Sequence, residues 1–467
     1  MGVKRTESLI RSAVLALVLF STGAMADLRV NPDHPYSFLD GDQPVYLIGA
    51  GWYGPPRCDA YDLEQYLDRL ASDGINFTRL LPFYLGPETI RSGIALAPWL
   101  RTGPSKGAGN RLDFDLERFD PAYFNRLKQF MALAQERGIY VEFSLFEGCA
   151  LKEPEDWRFH PFHKDNNVNG ISADFNNDGL GFEFHTLGSP HITKMQEAYV
   201  RKVLEQLNPC PNLIWEIGNE TNNSSPLKQA EAEWTAHFVE FIKQQESTLP
   251  RQHLLAVNDD YTDFDAAADP RVDVLNYHFS TWQPQRIHAM LQERTGRGKP
   301  VVFDETPPVQ KDTPVADVRN ALWATLTGGG HINLLDWTFA PNFGGDSRGR
   351  GGKDHRRVLK HLSEFVRQVD LARLRPCEGL SDTGFCLANP GREYVIYLPK
   401  GGALRIDWSA CEEAFGIHWL DPDRGVFTIM KLTPGGKPQK FQSPFRESAV
   451  FWARAVSAPV PVLEARE

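Results

Sequence analysis

Short apolar runs alternate with helical patterns from about residue 45 to residue 340, and this alternation constrains the fold more than any other feature. The runs lie at residues 45–48, 77–81, 140–145, 213–217, 254–257, 274–277, 301–303 and 332–335. The helical patterns lie at residues 63–71, 121–137, 192–207, 230–242, 284–291 and 315–326. Several runs are nearly uninterrupted, as expected for parallel strands that are covered on both faces. Eight strands alternating with helices predict an α/β fold of the (β/α)8 TIM-barrel type.

An open, doubly wound sheet is the alternative fold for such an alternation. That fold commonly carries a glycine-rich dinucleotide fingerprint after its first strand. No such motif follows residues 45–48. The barrel is therefore the favoured prediction.

The pattern changes after about residue 370, where short strands are separated by turn signals such as residues 421–425. Strands at this spacing predict a small C-terminal β-sandwich over residues 369–460. Residues 27–44 have the pattern of a hairpin, which could cap the floor of the barrel or join the C-terminal sheet. A chain of 467 residues has room for a barrel with this hairpin at residues 27–368 and for the sandwich.

The N-terminus has the pattern of a secretory signal peptide. Lys4, Arg5 and Arg11 are basic, residues 12–20 are apolar, and residues 24–26 read Ala-Met-Ala, which fits a cleavage site. We therefore predict a signal peptide at residues 1–26 and a bacterial protein that is secreted or periplasmic. An uncleaved membrane anchor is the alternative.

The overall composition argues against two classes of partner. A net charge of -10 disfavours nucleic acid, because nucleic-acid binders usually carry a basic excess. Beyond the signal peptide, no stretch approaches the ~18 apolar residues of a membrane span, so we expect no membrane span in the mature chain. The oligomeric state is left open by the sequence.

Six cysteines stand at positions 58, 149, 210, 377, 386 and 411. In an exported chain an even number suggests disulfides. We expect a pair between Cys377 and Cys386, with Cys149 and Cys210 as a second candidate pair, and buried free thiols as the alternative. Their spacing fits no zinc motif, so we expect no metal and no cofactor.

Two carboxylates follow predicted barrel strands at the ends where barrel enzymes carry their active sites. Glu220 follows the fourth strand after Asn219, and Glu305 follows the seventh strand after Asp304. Two facing carboxylates suit glycoside hydrolysis, in which one protonates the leaving oxygen and the other attacks or activates water. The alternative, two ordinary surface residues, is disfavoured because both runs have the composition of buried strands.

On these residues the chain resembles the retaining glycoside hydrolases of the (β/α)8-barrel clan A, and family 5 cellulase-like members in particular. Residues 214–220, Ile-Trp-Glu-Ile-Gly-Asn-Glu, are similar to the strand-four motif that ends in the general acid/base. Residues 301–305, Val-Val-Phe-Asp-Glu, are similar to the strand-seven motif that ends in the nucleophile. The resemblance implies that Glu220 is the acid/base and that Glu305 is the nucleophile. The C-terminal part resembles the β-domain of DUF4038-type (apiosidase-like) hydrolases.

The resemblance extends to residues that bind the sugar. It implies that Arg79 supports the nucleophile and that Trp337 stacks on substrate. Two departures set the chain apart: the order Tyr277-His278 replaces a His-x-Tyr pattern, and Phe146-Glu147 stands where the family has a histidine.

Further substrate contacts are expected from the chemistry of the neighbouring residues. Asn219 should hydrogen-bond the sugar 2-hydroxyl, Tyr277 and His278 could orient Glu305 or touch the sugar, and Trp52 could stack on a sugar face. Glu147, His185 and Asn258 are further candidates.

The proposed roles require the two catalytic carboxylates to titrate differently. We expect a raised pKa for Glu220, which must be protonated to act as an acid, and an ionised Glu305, which must attack. The predicted function is hydrolysis of O-glycosidic bonds in a poly- or oligosaccharide with retention of configuration. A transglycosylase and a non-catalytic carbohydrate-binding barrel are the alternatives.

Two loops invite further expectations. Residues 174–179, Asp-Phe-Asn-Asn-Asp-Gly, resemble the start of a calcium loop, although a polar turn fits them better. Residues 343–353 are rich in glycine and arginine, and could form a lid that meets an acidic sugar or an ordinary solvated loop.

Overall fold

The computed structural model describes residues 25–83, 96–104, 111–409, 411–428 and 430–457. The predicted signal peptide, residues 1–26, lies almost entirely outside the described residues. The chain begins with a small antiparallel sheet of β1 (Leu28–Val30), β2 (Phe38–Asp40) and β3 (Gln43–Val45).

Eight parallel strands then close into a barrel, with a small hairpin, β6 and β7, inserted after the second. The strands are β4 (Ile48–Gly51), β5 (Phe77–Leu80), β6 (Trp99–Arg101), β7 (Phe114–Phe119), β8 (Tyr140–Glu147), β9 (Leu213–Asn219), β10 (Leu254–Asn258), β11 (Val274–His278), β12 (Val301–Glu305) and β13 (His331–Leu335). Neighbouring barrel strands are parallel, and β13 pairs with β4 to close the barrel. The predicted (β/α)8 barrel is confirmed.

The helices lie outside the strands, and local capping explains where several of them begin. They are α1 (Leu63–Ser72), α2 (Pro121–Glu136), α3 (Pro154–Trp157), α4 (Pro190–Leu207), α5 (Lys228–Glu246), α6 (Pro284–Thr295), α7 (Val315–Thr327) and α8 (Lys353–Val366). The side chains of Asp62, Asp120 and Ser189 accept hydrogen bonds from first-turn N–H groups of α1, α2 and α4. Helix α8 was not predicted, although Val358, Leu362 and Phe365 give it an apolar face at helical spacing.

The N-terminal sheet caps the floor of the barrel, which was one of the two expectations for residues 27–44. Leu28 and Phe38 pack against residues at the lower ends of the barrel strands, including Phe77 and Tyr140. The Tyr140 hydroxyl also donates a hydrogen bond to Asp40 at 2.8 Å. This sheet seals the end of the barrel opposite the predicted active site.

The predicted first strand at residues 45–48 was wrong in its bounds. Val45 pairs with Phe38 in the N-terminal sheet, and the barrel strand begins only at Ile48. The apolar run therefore spans two different strands, which a pattern of apolar residues alone cannot separate.

The C-terminal region forms two antiparallel sheets. Its strands are β14 (Arg375–Pro376), β15 (Cys386–Asn389), β16 (Glu393–Leu398), β17 (Ala403–Ile406), β18 (Phe415–Asp421), β19 (Val426–Phe427), β20 (Lys431–Thr433), β21 (Gln439–Gln442) and β22 (Ala449–Ala455). Strands β17 and β21 form a two-stranded sheet, and the others form a seven-stranded sheet. Leu404 and Trp408 belong to one apolar cluster with Phe415 and Phe451 of the larger sheet, so the two layers pack face to face.

The outer face of the seven-stranded sheet packs against the flank of the barrel. The rings of Trp323 on α7 and Tyr397 on β16 are stacked with centroids 5.8 Å apart. Phe365 on α8 and Trp452 on β22 meet edge to face at 5.9 Å. The C-terminal sheets are therefore attached to the side of the barrel by an aromatic interface.

All six cysteines are free thiols, so the predicted disulfides are not formed. Cys149 follows the C-terminal end of β8 and Cys210 precedes the N-terminal end of β9, which places them at opposite ends of the barrel. Cys377 and Cys386 are neighbours, since the Cys377 N–H donates to the Cys386 carbonyl at 2.9 Å, but their sulfurs are not joined.

None of the helices in the described part of the chain combines the length and apolar character that crossing a membrane requires.

Candidate active site

Arg79, on β5, lies at the centre of the buried charges inside the barrel. Its fully buried guanidinium donates to Glu216, with Nη2–Oε1 at 2.7 Å and Nε–Oε2 at 3.0 Å. Nη2 also lies 2.9 Å from Oδ2 of Asp304, and Nη1 donates to Oε2 of Glu305 at 3.2 Å. The expected contact with Glu305 is present, but the closer partner is Glu216, which the sequence analysis did not single out.

Two groups of three side chains in the described part of the chain have the geometry to hold a cation. In the first, atoms of Glu142, Glu216 and Asp304 lie within 4.8 Å of one another; in the second, atoms of Glu220, His278 and Glu305 do. Arg79 already lies against the first group, and in the second group Nζ of Lys152 lies 3.7 Å from Oε2 of Glu220. Both groups therefore have a side chain of the protein as their positive partner.

Glu220 follows β9 in a strained backbone conformation. Its φ is 48°, and it is one of three non-glycine residues with positive φ among the described residues. Its backbone N–H donates to Oδ1 of Asn258 at 3.0 Å, which holds the turn. Strain of about 1–3 kcal/mol at one residue persists where the surrounding structure enforces it, and such residues cluster at functional sites.

The turn after β9 brings the Glu220 carboxylate close to that of Glu305. The atoms concerned are one carboxylate oxygen of Glu220, one of Glu305 and one ring nitrogen of His278, and they all lie within 4.8 Å of one another. The two carboxylates predicted from the strand ends are thus neighbours in the barrel mouth.

Hydrogen-bond donors surround the Glu220 carboxylate. Oε1 lies 3.0 Å from Nδ1 of His278, and Oε2 accepts hydrogen bonds from Sγ of Cys149 at 2.9 Å and from Nδ2 of Asn223. Nζ of Lys152 is 3.7 Å from Oε2. Such an environment favours the anion of Glu220.

The pKa of Glu220 lies below its ordinary value and that of Glu305 lies above it, which is the opposite of the prediction. Burial opposes ionisation of Glu220, but the hydrogen bond and charge of His278, with the bonds from Cys149 and Asn223, hold its pKa at about 2. Burial raises the pKa of Glu305, and His278 and Arg79 offset this only in part. The expectation of a raised pKa for Glu220 was wrong for the protein without substrate, because it took no account of the donors around this residue.

His278 and Tyr277 are neighbours on β11, so their side chains point to opposite faces of the strand. The pairing of β11 with β12 also shifts between them, since Tyr277 pairs with Phe303 and His278 pairs with Glu305. The ring of His278 meets Glu220, with Nδ1 3.0 Å from Oε1, and lies near Glu305. The Tyr277 hydroxyl donates to Asp259 instead.

The expected role of Tyr277 at the sugar or at Glu305 was accordingly wrong. Its hydroxyl lies between Asp259 and Arg297, and the guanidinium of Arg294 lies 4.5 Å from the centre of its ring. Tyr261, which the sequence analysis missed, is the phenol at the site. Its half-buried ring lies 5.1 Å from that of His278.

Asn219 is held by the turn after β8. Its Nδ2 donates to Oε1 of Glu147 at 3.4 Å and to Sγ of Cys149 at 3.5 Å. Its buried Oδ1 has no hydrogen-bond partner among the residues that the structure describes. Burial raises the pKa of Glu147 to about 7, against hydrogen bonds from the N–H groups of Ala150 and Cys149.

Tyr53, rather than its neighbour Trp52, contacts the buried charges around Arg79. Trp52 is 7% exposed and packs against Tyr61 with ring centroids 5.1 Å apart, so the expected stacking on sugar is not supported. The Tyr53 hydroxyl donates to the carbonyl of Asp304 at 3.1 Å, and Arg79 lies 5.3 Å from the centre of the Tyr53 ring.

Trp337 follows β13 and is half-buried. Its ring is parallel to that of Phe343, with centroids 3.6 Å apart. One face of Trp337 is thus covered by Phe343, which is 48% exposed. The two rings form an aromatic platform beside the end of β13.

The two loops singled out from the sequence have structural roles. Asp174 accepts hydrogen bonds from the N–H groups of Asp178 and Gly179, both at 3.1 Å, which makes residues 174–179 a self-capped polar turn. In the loop at residues 343–353, Arg350 pairs with Asp346, and Arg348 donates to Gln65 on α1 at 3.2 Å. This loop therefore packs beside α1 through Arg348, whereas Arg350 is paired within the loop itself.

The chain is similar to known proteins in part of its sequence and in its fold. The family model described as "Domain of unknown function (DUF6298)" matches residues 95–286, whereas the sequence had suggested a DUF4038 type. No curated protein matches the chain. A solved structure described as a glycoside hydrolase is similar, with 12% identity, 93% of this chain and 98% of that chain covered, and a TM-score of 0.65. A glycoside hydrolase family 5 structure from Bacteroides vulgatus is similar with 14% identity, coverage of 92% and 93%, and a TM-score of 0.63. At these identities the likeness concerns the fold.

Proposed function

We propose that this protein is a retaining glycoside hydrolase that cleaves O-glycosidic bonds in a poly- or oligosaccharide. The observation that carries the proposal is the distance of at most 4.8 Å between oxygens of Glu220 and Glu305 at the ends of β9 and β12. Retaining enzymes place their carboxyl groups ~5–5.5 Å apart, whereas inverting enzymes need ~6.5–9.5 Å to admit a water molecule. The glycoside hydrolases that share the fold support the same proposal.

Glu305 is the nucleophile in this proposal. Its carboxylate attacks the anomeric carbon and forms a glycosyl-enzyme, which water then hydrolyses. Arg79 and the cationic ring of His278 lower the pKa of Glu305 against the effect of burial, and thereby favour the anion that attacks.

Glu220 is the acid/base. Its carboxyl delivers a proton to the leaving oxygen in the first half-reaction and accepts one from water in the second. Asn219, whose Oδ1 has no hydrogen-bond partner in the described part of the chain, hydrogen-bonds the sugar 2-hydroxyl in this proposal.

Substitution of the two carboxylates tests these roles. After a screen of plant and bacterial polysaccharides and aryl glycosides has found a substrate, Glu220→Gln and Glu305→Gln should each lose most turnover. Glu155→Gln, at an exposed residue on α3, is the matched control and should keep wild-type turnover. Full activity of either catalytic variant would rule out the assignment.

Chemical rescue separates the two roles. With an activated aryl glycoside, azide should restore turnover to Glu220→Ala with a glycosyl azide of retained configuration. Azide should act on Glu305→Ala to give the inverted azide, because it then replaces the missing nucleophile. If instead Glu220→Ala gave the inverted azide and Glu305→Ala gave the retained azide, Glu220 would be the nucleophile and Glu305 the acid/base.

We also propose that the protein is exported. The support is the pattern of residues 1–26, which fits a cleavable signal peptide. Expression of the full chain in a Gram-negative host should give a periplasmic or secreted protein that begins at Asp27. Full-length protein retained in the cytosol would contradict this.

A further inference from the structure

We propose that in the free enzyme the catalytic proton resides on His278, and that it reaches the leaving oxygen through the carboxyl group of Glu220. This inference rests on the proposed glycosidase function. It assigns His278 a role in holding the proton, whereas the sequence suggested only a contact with the sugar or with Glu305.

Both ring nitrogens of His278 face carboxylates. Nδ1 lies 3.0 Å from Oε1 of Glu220, and Nε2 lies 3.7 Å from Oδ1 of Asp304. A neutral imidazole would present a lone pair to one of these two carboxylates, whereas an imidazolium presents an N–H to each. The position of the ring between two anions therefore favours the doubly protonated form.

Glu220 has the opposite surroundings. Its Oε2 accepts from the thiol of Cys149 and from Asn223, and the ammonium of Lys152 lies 3.7 Å away. A proton on Oε2 would point at these donors. The proton that the Glu220–His278 pair holds is therefore placed on the histidine.

The groups facing His278 from each neighbouring element carry a net negative charge. They are Glu220 and Glu216 from β9, Asp260 and the Tyr261 ring from the loop after β10, Asp304 and Glu305 from β12, and the cation Arg79 from β5. Burial of the ring lowers the pKa of His278, but the negative charges of Glu305 and Asp304 outweigh this effect and raise the pKa well above its ordinary value.

In the proposed step, Nδ1 of His278 first passes its proton to Oε1 of Glu220, and the N–H electron pair stays on nitrogen. The Glu220 carboxyl formed in this way gives the proton to the leaving oxygen. The bond between that oxygen and the anomeric carbon breaks as the Glu305 carboxylate bonds to the same carbon and loses its negative charge. Since Glu305 is the strongest anionic support of the imidazolium, its glycosylation releases the proton when the leaving group needs it.

The second half-reaction restores the pair. Glu220 is then an anion beside a neutral His278, and it removes a proton from the attacking water. Hydrolysis of the glycosyl-enzyme returns the charge of Glu305, and the proton passes back to His278.

Nitrogen-15 NMR of histidine-labelled protein tests the resting state without any substrate. His278→Gln identifies the His278 signals by their loss. Both ring nitrogens should be protonated at pH 7, and the ring should titrate above 6.5, the ordinary value for histidine. A neutral ring at pH 7 that titrates at or below 6.5 would overturn the proposal.

A second variant keeps the test independent of that substitution. Glu305→Gln removes the charge that supports the imidazolium, so one histidine should titrate at lower pH than in the wild type. If every histidine titrates as in the wild type, the coupling to Glu305 is refuted. Because neither measurement needs turnover, failure of the glycosidase assignment would be seen separately, as absence of activity in the substrate screen.

Kinetics with different leaving groups separate proton storage from a structural role. Loss of general acid catalysis costs about 10²–10⁴-fold, so His278→Asn should lose about that much on an alkyl glycoside at pH 8. At that pH Glu220 without its histidine should be ionised, and it then has no proton to donate. On a dinitrophenyl glycoside, which needs no acid, the loss should be under tenfold. Equal losses on both would mean that His278 only shapes the site, and the proposal would fall.

Discussion

The buried carboxyl group of Glu147 should make the stability of the barrel depend on pH. Burial raises its pKa from 4.5 to about 7 in the folded protein, and the side chain is 1% exposed. A group whose pKa is higher in the folded state supports folding at low pH, and this support is lost as the pH rises through the folded value. The loss from Glu147 should therefore run from about pH 4.5 to somewhat above pH 7.

The size of the effect follows from the two pKa values. Each unit of difference between the folded and unfolded states is worth about 1.4 kcal/mol. A difference between 4.5 and about 7 thus lowers the free energy of unfolding by about 3 kcal/mol between acidic and alkaline pH. Glu147→Gln cannot ionise, and it should not show this part of the pH dependence.

Urea unfolding of the wild type and Glu147→Gln at pH 4.5, 6, 7 and 8.5 measures the effect. As the pH rises, the free energy of unfolding of Glu147→Gln should increase by about 3 kcal/mol relative to that of the wild type. Other titrating groups are present in both and cancel. A difference that stays constant to within about 0.5 kcal/mol would refute the reasoning, since it would mean that the Glu147 carboxylate is not desolvated.

Three further substitutions test other parts of the structure. Arg79→Met leaves several buried carboxylates without their cation. It should lower the free energy of unfolding, measured in urea at pH 7, by about 3–5 kcal/mol. A loss below about 1 kcal/mol would contradict a stabilising role for these buried ion pairs. Cys149→Ala removes a hydrogen bond to the Glu220 carboxylate worth about 1 kcal/mol. The pKa of Glu220, about 2 in the wild type, should therefore rise by about 0.7 in a carbon-13 NMR titration of the carboxyl group, whereas Cys149→Ser should leave it unchanged. Trp323→Ala opens the interface between the barrel and the C-terminal sheets and should cost about 3–5 kcal/mol of stability while kcat stays at the wild-type value.

The sequence predicted the elements that depend on local pattern. Apolar runs and helical spacing located the eight strands, since burial of parallel strands on both faces leaves a plain signal. The same logic placed Glu220 and Glu305 at strand ends that share one edge of the barrel, and in the structure their oxygens lie within 4.8 Å.

The charges around these carboxylates could not be predicted in the same way. Their pKa order depends on Cys149, Asn223 and His278, which come from three different segments of the chain. Strand pattern shows which residues end a strand, but it does not show which donors converge on a given oxygen.

Strand alternation explains why Tyr277 and His278 cannot share one role. They are successive residues of β11, so their side chains point to opposite faces. In the structure His278 meets Glu220 and the Tyr277 hydroxyl meets Asp259. The alternation was available in the sequence, whereas the partner that each side chain meets was not.

The configuration of the first product tests the central claim most directly. Proton NMR of the anomeric signals, recorded in the first minutes of hydrolysis before mutarotation, shows which anomer the enzyme releases. The close pair of Glu220 and Glu305 predicts that the released sugar keeps the configuration of the substrate. Release of the inverted anomer would contradict the proposed mechanism.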